Sequence, residues 1–296
     1  MQITFLGTSC MMPTKDRNPS AVFLKFKGDG ILFDCGEGTQ RQMRIAGISL
    51  ADVTKICISH WHGDHILGLP GLLLTIASLE LSRSVEIYGP RGSKHAFQAL
   101  FGGIEFETKF NIKITEVHEG IFFENEDYRL ESLPMTHPVP CAAFAFVEKD
   151  RRRIKVDFVK KLGIPDGPLL GELQRGKSIE FRGKKVSIND ATSVVKGKKV
   201  VFMTDTLVNE NCFKLAADAD VLIIDSTYTS KLKDKAVEHG HLTALEAAQI
   251  ASRSGVKKLV LTHFSARYKN TLEIEEDART AFDNVVCAYD LMKLIV

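Results

Sequence analysis

The stretch "HWHGDHILGL", residues 60–69, contains three of the nine histidines in the chain within six positions, with a carboxylate among them. Alternate side chains of an extended segment project to the same side, so His60, His62 and Asp64 are predicted to point together. His65 would then stand at a corner where a helix begins. Imidazole and carboxylate ligands suit zinc, while manganese or iron stays open. The pattern predicts two neighbouring metal ions, with His60 and His62 on one and Asp64 and His65 on the other.

Four ligands cannot complete two metal sites, so further ligands must come from other parts of the chain. Three polar residues each end an apolar run that is typical of a buried strand: His137, Asp205 and His263. A buried imidazole or carboxylate is costly unless it is paired or binds a metal. We therefore expect these three to join the cluster, with Asp205 bridging the two ions. Metals about 3.5–4 Å apart can activate one shared water for attack at phosphorus.

The composition is that of a globular protein with a sizeable core. Of 296 residues, 44% are hydrophobic and 26% charged, and no apolar run approaches the roughly 18 residues of a membrane span. The N-terminus has no signal-peptide pattern. Six scattered cysteines form no Cys-x-x-Cys pair. They predict reduced thiols, most of them small core residues, in a cytoplasmic protein without a membrane partner.

Strand and helix patterns occur in both halves of the chain and predict one α/β domain over 1–296. Two sheets covered by helices would form a four-layer α/β/β/α sandwich, interrupted by an insertion at about 148–183. The stretch "GIPDGPLLGELQRG", residues 163–176, is rich in Pro and Gly, which argues against regular structure there. From Glu148 to Lys199 there are fifteen Lys and Arg against seven Asp and Glu, a net charge of +8. This segment is either a polyanion contact or a solvated insertion.

The remaining histidines fall in weaker contexts. Three are predicted to lie on the surface: His95, His118 and His239. His241 precedes a helix whose capping box is formed by Thr243 and Glu246, a place where a phosphate could dock. The alternative for His241 is a simple polar residue at a helix start.

Several motifs resemble the metallo-β-lactamase superfamily and, within it, the ribonuclease Z family, nearly end to end. They are the opening "PTKDRN" (13–18), "LFDCGEGTQRQM" (32–43), "SHWHGDHILGLPGLL" (59–73) and "THFSARY" (262–268). The resemblance implies the metallo-β-lactamase sandwich with a protruding flexible arm. The segment "IKVDFVKKLGIPDGPLLGELQRG" (154–176) is similar to that arm, a tRNA-binding exosite with its Gly-Pro element at Gly167 and Pro168.

The resemblance also implies a set of site residues. The metal ligands would be His60, His62, Asp64, His65, His137, Asp205 and His263, holding two Zn²⁺ per subunit, with Mn²⁺ or another divalent metal possible. Asp34 would accept a hydrogen bond from a ligand. Substrate contacts would come from Lys15, Arg17, Asn18, Arg267 and Tyr268.

The implied activity is metal-dependent endonucleolytic cleavage of precursor tRNA, which removes the 3′ trailer and leaves a 3′-hydroxyl on the tRNA. Asp64 would orient the nucleophile or take its proton, and His241, held by Asp225, would protonate the leaving oxygen. A homodimer is expected. Asp225 stands where the family commonly has Glu and is one methylene shorter, and Thr204 stands where it commonly has Gly.

Two other functions fit parts of the pattern. A hydrolase of small substrates, such as a phosphodiesterase, thioesterase or lactonase, would use the same ligands without a basic arm. An RNA-binding protein with structural metals would need closed four-ligand cages, and seven shared ligands argue against that.

Overall fold

The computed structural model describes residues 1–79, 84–105 and 111–296. The strands are β1 Gln2–Gly7, β2 Ala21–Phe26, β3 Asp29–Phe33, β4 Val53–Cys57, β5 Val85–Gly89, β6 Ile112–Glu116, β7 Gly120–Glu124, β8 Tyr128–Met135, β9 Cys141–Glu148, β10 Arg151–Ile154, β11 Ile179–Phe181, β12 Lys184–Val186, β13 Thr192–Val195, β14 Lys199–Met203, β15 Val221–Asp225, β16 Leu259–Thr262, β17 Val285–Cys287 and β18 Lys293–Ile295. The helices are α1 Thr39–Ile45, α2 Gly63–Ile66, α3 Leu69–Ser78, α4 Ser93–Phe101, α5 Val156–Lys161, α6 Pro168–Gln174, α7 Ile188–Ala191, α8 Glu210–Ala216, α9 Lys233–His239, α10 Ala244–Arg253 and α11 Leu272–Arg279.

Two large sheets carry most of the strands. One has the order β18-β1-β2-β3-β4-β5-β6 and the other the order β17-β16-β15-β14-β9-β8-β7. In the first, β3 to β6 run parallel, and in the second, β14 to β17 run parallel. Continuous apolar runs such as "VLIID" in β15 are fully buried, as expected of parallel strands covered on both faces.

Aromatic rings join the inner faces of the two sheets. The ring of Phe33 in β3 lies 6.2 Å from that of Phe144 in β9 and 5.2 Å from that of Phe202 in β14. The neighbouring Leu32 points the other way, into an outer cluster with Leu72 of α3, which is the alternation of a strand.

Helix α10 contacts β15 and β16 of the second sheet through a face of buried alanines that permits close approach. Thr243 and Glu246 form its capping box as predicted. With α3 packed against the first sheet and α10 against the second, the predicted α/β/β/α sandwich is confirmed.

A smaller compact unit comprises residues 124–129 and 147–198. It contains the antiparallel pair β10–β13, the hairpin β11–β12 and helices α5 to α7. Its own apolar core consists of Val159, Ile164, Leu173, Ile179, Val186 and Ala191. The predicted insertion at 148–183 falls within this unit, whose bounds are wider.

The expectation that Pro and Gly argue against regular structure over much of the insertion is wrong, because β10, α5, α6 and β11 all lie within it. Pro168 opens α6 at its first position, where a missing N–H costs nothing. Gly163 and Gly176 have φ of 71° and 90° and follow the ends of α5 and α6. In each case the next N–H returns to the helix, from Ile164 to Val159 at 3.0 Å and from Lys177 to Glu172 at 3.0 Å. The glycines therefore terminate short helices in Schellman motifs.

The apolar pattern of residues 68–82 predicts a helix that begins near Pro70. The structure has α3 there, with Pro70 in its first turn, and positions 80–82 lie outside the described residues. The pattern of residues 110–117 predicts a strand, which is β6, and position 110 lies outside the described residues. Among the helices of the described residues, none has the length and apolarity to cross a membrane.

Candidate active site

The polar residues predicted to form the site lie at or just after the ends of strands. His60 follows β4, His137 follows β8, Asp205 follows β14 and His263 follows β16, while Asp225 is the last residue of β15. Because carboxyl ends of parallel strands lie at one edge of a sheet, β14, β15 and β16 bring their polar residues together.

Three residues that follow strands β3, β14 and β16 have positive φ although none is glycine. Their φ values are 56° at Asp34, 21° at Asp205 and 63° at His263. Such backbone is costly for side chains with a Cβ and concentrates at functional sites. Here the left-handed residue turns the chain immediately after a buried strand. Its side chain enters the cluster instead of continuing along the strand.

The loop of 60–65 differs from the predicted alternation. His62 is extended, with ψ of 152°, but α2 begins at Gly63. Asp64 and His65 therefore lie on a helical turn, so the expectation that Asp64 alternates with His60 and His62 along an extended segment is wrong. The change from extended to helical backbone places His60 and His62 in one group of side chains and Asp64 and His65 outside it, and the division of metal ions between them stays a prediction.

The first group consists of His60, His62, His137 and Asp205, whose ligand atoms all lie within 4.8 Å of one another. Nδ1 of His62 is 2.9 Å from Nε2 of His60 and 3.3 Å from Nε2 of His137. Asp205 contributes Oδ2, which lies 3.6 Å from Nε2 of His60.

The second group contains Asp64, His65, His263 and the same Asp205. Oδ2 of Asp64 is 3.4 Å from Nε2 of His65 and 3.4 Å from Nε2 of His263. Oδ1 of Asp205 lies 3.4 Å and 3.3 Å from the same two nitrogens. The two oxygens of Asp205 thus face different groups, which is the geometry that a bridging carboxylate requires.

Asp34 and Ser59 orient the histidines of the 60–65 loop. Oδ2 of Asp34 accepts a hydrogen bond from Nδ1 of His65 at 2.6 Å and from the Ser59 hydroxyl at 2.9 Å. Nδ1 of His60 donates to Ser59 Oγ at 3.1 Å. Both imidazoles therefore keep Nε2 free to face the cluster. Sequence reasoning missed Ser59.

The other histidines are oriented in the same manner. Nδ1 of His263 donates to Thr227 Oγ1 at 3.1 Å, and that hydroxyl donates to Oδ1 of Asp225 at 2.6 Å. Nδ1 of His137 donates to the carbonyl of Gly240 at 3.1 Å. Thr227 and Gly240 were also missed. Their types are common, and no spacing in the sequence relates them to the histidines.

Some buried polar atoms of the two groups have no hydrogen bond, which indicates whether a cation fits between them. Within the described residues, those side-chain atoms are Nε2 of His65, Oδ1 of Asp205 and Oγ1 of Thr204. The first two lie 3.4 Å apart in the second group. In the first group, three imidazole nitrogens face one another while the opposite nitrogens of His60 and His137 already donate. Converging lone pairs repel unless a cation lies between them, so both groups fit divalent metal binding.

The electrostatics agree with this conclusion. Burial disfavours charge on Asp64 and Asp205, yet the surrounding imidazoles, His263 foremost, hold the pKa of both carboxyls well below the usual range. Burial also opposes protonation of His65 and His263, but Asp205 outweighs it and raises the pKa of both. By contrast, burial and His65 lower the pKa of His60. The second group thus attracts positive charge, which protons supply until a metal displaces them.

His241 lies beside the metal groups and is bound to Asp225. Oδ2 of Asp225 accepts from Nδ1 of His241 at 3.1 Å and from the backbone N–H of Leu242 at 3.0 Å. The shorter Asp225 therefore still reaches the imidazole. Burial opposes protonation, but Asp225 and then Asp205 raise the pKa of His241 to about 10. The direction of this shift favours the protonated imidazole, the form that a general acid requires.

A cleft of about 490 Å³ opens over these residues, lined by Cys10, Met11, His62, Gly63, Asp64, Leu67, Asp205, Tyr228, His239 and His241. His95, His118 and His239 are exposed as predicted. His239, however, lines the cleft, and its ring stacks near that of Tyr228. The guanidinium of Arg267 lies 5.1 Å from the centre of the same Tyr228 ring.

The two predicted substrate-binding segments, from opposite ends of the chain, meet at a second cleft of about 300 Å³. Its lining comprises Thr14, Lys15, Asp16, Arg17, Ala266, Tyr268 and Lys269. Lys15 is exposed, and Arg17 lies over the ring of Phe264 at 5.4 Å. Lys269 was not predicted.

Asn18, Gly167 and Pro168 lie elsewhere. The side chain of Asn18 donates to the carbonyl of Glu37, so it anchors the 13–18 loop. Gly167, with φ of 146°, and Pro168 are exposed at the start of α6 in the smaller unit.

Comparisons with known proteins identify relatives of this chain. Residues 1–157 match a family model described as "Anti-Pycsar protein Apyc1", and residues 175–264 match a β-lactamase superfamily domain. Ribonuclease Z of Methanothermobacter thermautotrophicus is 42% identical over 297 residues, which cover 100% of this chain and 97% of that protein. This chain belongs to the ribonuclease Z family.

Solved structures support the assignment to the ribonuclease Z family. The short form of human tRNase Z is 30% identical, with a TM-score of 0.74 and coverage of 100% of this chain and 99% of that chain. The metallo-β-lactamase fold protein YhfI from Bacillus subtilis is 18% identical, with a TM-score of 0.71 over 99% and 98% of the two chains, which shows the shared fold alone. The predicted family and fold are confirmed, and the chain is an endoribonuclease with a divalent-metal site.

Proposed function

We propose that this ribonuclease Z family member cleaves precursor tRNA on its 3′ side, releasing the trailer and leaving a 3′-hydroxyl on the tRNA. The observation that carries the proposal is the position of Asp205, whose two oxygens face two separate His/Asp groups. A pair of divalent ions bound at such groups supplies the charge that activates water and offsets the phosphoryl oxygens.

The metal pair is proposed to be two Zn²⁺ per subunit, with Mn²⁺ or another divalent ion as the alternative. His60, His62 and His137 would hold one, Asp64, His65 and His263 the other, and Asp205 both. The imidazole-rich set favours zinc over magnesium or calcium. Hydrogen bonds to Ser59, Asp34, Thr227 and Gly240 fix the imidazoles, so that the opposite ring nitrogens would hold the ions.

Two side chains are proposed to move protons. Asp64, anionic because its pKa is held low, orients the attacking water or accepts its proton. His241, protonated and held by Asp225, donates a proton to the leaving O3′ of the tRNA. The P–O3′ bond breaks as the new P–O bond forms, so the phosphate remains on the 5′ end of the trailer.

The substrate backbone is proposed to contact one basic cluster and a separate arginine. Lys15, Arg17 and Tyr268 line one cleft with Lys269, and Arg267 stands by Tyr228 at the edge of the other. Asn18 supports the first cleft by holding its loop to Glu37. These side chains would bind phosphates without reading base sequence.

The smaller unit is proposed to be the tRNA-binding arm, with its Gly-Pro element at Gly167 and Pro168. Exposed Arg151, Arg153, Lys160, Lys161, Lys184 and Lys185 give it a strongly basic surface. Such a surface binds folded RNA through its phosphates and shape. The family resemblance further suggests a homodimer, in which each arm acts on tRNA held by the partner, and a cytoplasmic location.

Cleavage of end-labelled precursor tRNA, with and without a chelator, tests the function. We expect a single metal-dependent cut at the 3′ side, with a 3′-hydroxyl on the upstream product. Elemental analysis of the same sample gives the metal stoichiometry. An intact precursor beside rapid turnover of small phosphodiesters or thioesters would instead support the small-substrate hydrolase.

A further inference from the structure

Cys10 lies beside the second metal group, although its spacing from the histidines gave no indication of this. We infer that the Cys10 thiolate is an additional ligand of the ion held by Asp64 and His263. The inference rests on the proposed metal site and adds a sulfur ligand to a set that the sequence predicted to be entirely His and Asp.

The geometry places the sulfur within reach. Sγ of Cys10, a carboxylate oxygen of Asp64 and a ring nitrogen of His263 all lie within 4.8 Å of one another. Ligands bound at 2.0–2.3 Å to one zinc ion are separated by roughly 3.5 Å, so only small side-chain movements are needed. Sγ is also 4.0 Å from Nε2 of His241.

The loop that carries Cys10 is fixed to both ligand-bearing segments. The backbone N–H of Cys10 donates to the carbonyl of Phe264 at 3.0 Å, directly after His263. The N–H of Met11 donates to Oδ2 of Asp64 at 2.7 Å. The Ser9 hydroxyl closes the turn on the carbonyl of Met12 at 2.8 Å. The sulfur is thus positioned by backbone contacts rather than by a mobile surface loop.

An independent observation indicates a cation at this position. Nε2 of His65 and Oδ1 of Asp205 are fully buried and make no hydrogen bond within the described residues. Both form a cluster with His263, the residue that also belongs to the Cys10 cluster. These two atoms, which lack a hydrogen bond, and the thiol therefore converge around the same imidazole.

A thiolate changes which metal the site prefers. Sulfur ligands favour Zn²⁺ and Cd²⁺, whereas sites of carboxylate and imidazole alone accept Mn²⁺ more readily. Binding releases the thiol proton to solvent. Cys287 offers a matched control, since it is partly exposed like Cys10 but lies in β17. The other cysteines, Cys35, Cys57, Cys141 and Cys212, are buried.

Cobalt spectroscopy tests the ligand directly. Metal-free wild type, Cys10→Ser and Cys287→Ser proteins are loaded with Co²⁺, and bound cobalt is measured by elemental analysis. We expect a near-ultraviolet thiolate-to-cobalt absorption band in the wild type and Cys287→Ser, and its loss in Cys10→Ser. Affinity for Cd²⁺ should fall about tenfold or more in Cys10→Ser, with a smaller change for Mn²⁺.

Alkylation of the wild type supplies a readout that needs no variant. Iodoacetamide labelling, followed by peptide mass spectrometry, should be slowed by bound Zn²⁺ at Cys10 and unchanged at Cys287. The inference is overturned if cobalt binds fully without the band, or if zinc leaves labelling of Cys10 unchanged. If the wild type binds no cobalt, the proposed metal site itself fails, so the two failures are distinguishable.

Discussion

Asp34 and Asp225 hold the site in the same way from the ends of β3 and β15. Each carboxylate is fully buried. Each accepts a hydrogen bond from one imidazole directly and is linked to a second imidazole through a neighbouring hydroxyl. Asp34 binds His65 directly and pairs with Ser59 toward His60, whereas Asp225 binds His241 and pairs with Thr227 toward His263. Asp34 thereby orients two proposed metal ligands, while Asp225 orients one proposed ligand and the proposed acid. Substitution of the two should therefore give different defects.

Replacement of Asp34 by Asn should weaken metal binding by about 10–100-fold. The amide removes the negative charge that lies 2.6 Å from Nδ1 of His65. It also removes one of the oxygens that can accept a hydrogen bond from Ser59. Competition with a chromophoric chelator measures the loss. Asp52→Asn, at a partly exposed carboxylate paired with Lys25, is the control and should bind metal normally. Wild-type affinity in Asp34→Asn would contradict the orienting role.

Replacement of Asp225 by Asn should move the alkaline limb of the pH–rate profile to lower pH. Asp225 raises the pKa of His241 to about 10 against the effect of burial, so activity that needs the protonated imidazole persists until pH exceeds that pKa. Loss of the charge should lower the apparent pKa of the alkaline limb by about 1–3 units. Single-turnover cleavage of precursor tRNA at different pH values measures it.

Asp225→Glu, which restores the residue common in the family, is the matched control and should retain the wild-type limb. His241→Ala should remove the limb altogether and slow cleavage by about 10²–10⁴-fold. An unchanged alkaline limb in Asp225→Asn would mean that another group supplies the proton.

Replacement of Gly240 by Ala should release metal from the first group. Gly240 has φ of 75°, and an added Cβ would lie 2.9 Å from Nδ1 of His137. The same Nδ1 donates a hydrogen bond to the carbonyl of Gly240. Gly47→Ala is the control: its φ is 73°, and nothing lies within 4 Å of the added Cβ.

Both variants should lose on the order of 1 kcal/mol of stability, because a side chain disfavours positive φ. Only Gly240→Ala should also lose bound metal, measured by elemental analysis after dialysis. Equal metal content in the two variants would mean that Gly240 acts through backbone conformation alone.

The sequence predicted the residues of the site better than their orientation. Asp205 and His263 could be found because each polar residue ends an apolar strand, and parallel strands align their ends. The helical turn at Asp64 could not be predicted in this way. The alternation of side chains holds only for an extended chain, and α2 begins at Gly63. Ser59, Thr227 and Cys10 acquire their roles only from side-chain contacts between distant segments.

The smaller unit shows the opposite limit of sequence reasoning. Its charge and Gly-Pro element were visible, but its Pro and Gly content suggested irregular chain. Short helices closed by glycine have the same composition as a loop, and only the buried Val159 and Leu173 distinguish them. Its compact bounds, which reach residue 198, determine how it should be deleted.

Deletion of 151–195 should abolish efficient cleavage of precursor tRNA and spare hydrolysis of bis(p-nitrophenyl) phosphate. The flanking Asp150 and Lys196 are ion-paired at 2.7 Å, so a short Gly-Ser link can join them without disturbing β9 and β14. A deletion that ended at residue 180 would instead leave Val186 and Ala191 without the other four residues of the small core. Retained turnover of the small ester reports that the larger unit is folded and metal-bound.

Charge reversal separates the basic surface from the folded unit. Lys160, Lys161, Lys184 and Lys185 are exposed, and their joint replacement by Glu should raise KM for precursor tRNA at least about tenfold at physiological salt, with kcat little changed. The salt dependence of binding should become shallower, because each lost phosphate contact removes roughly 0.7–0.9 from the slope of log K against log salt. Arg44→Glu, on α1 of the larger unit, controls for charge reversal outside the smaller unit and should change KM less. A proportional loss of small-ester turnover in the quadruple variant would show that these lysines support the fold rather than RNA binding.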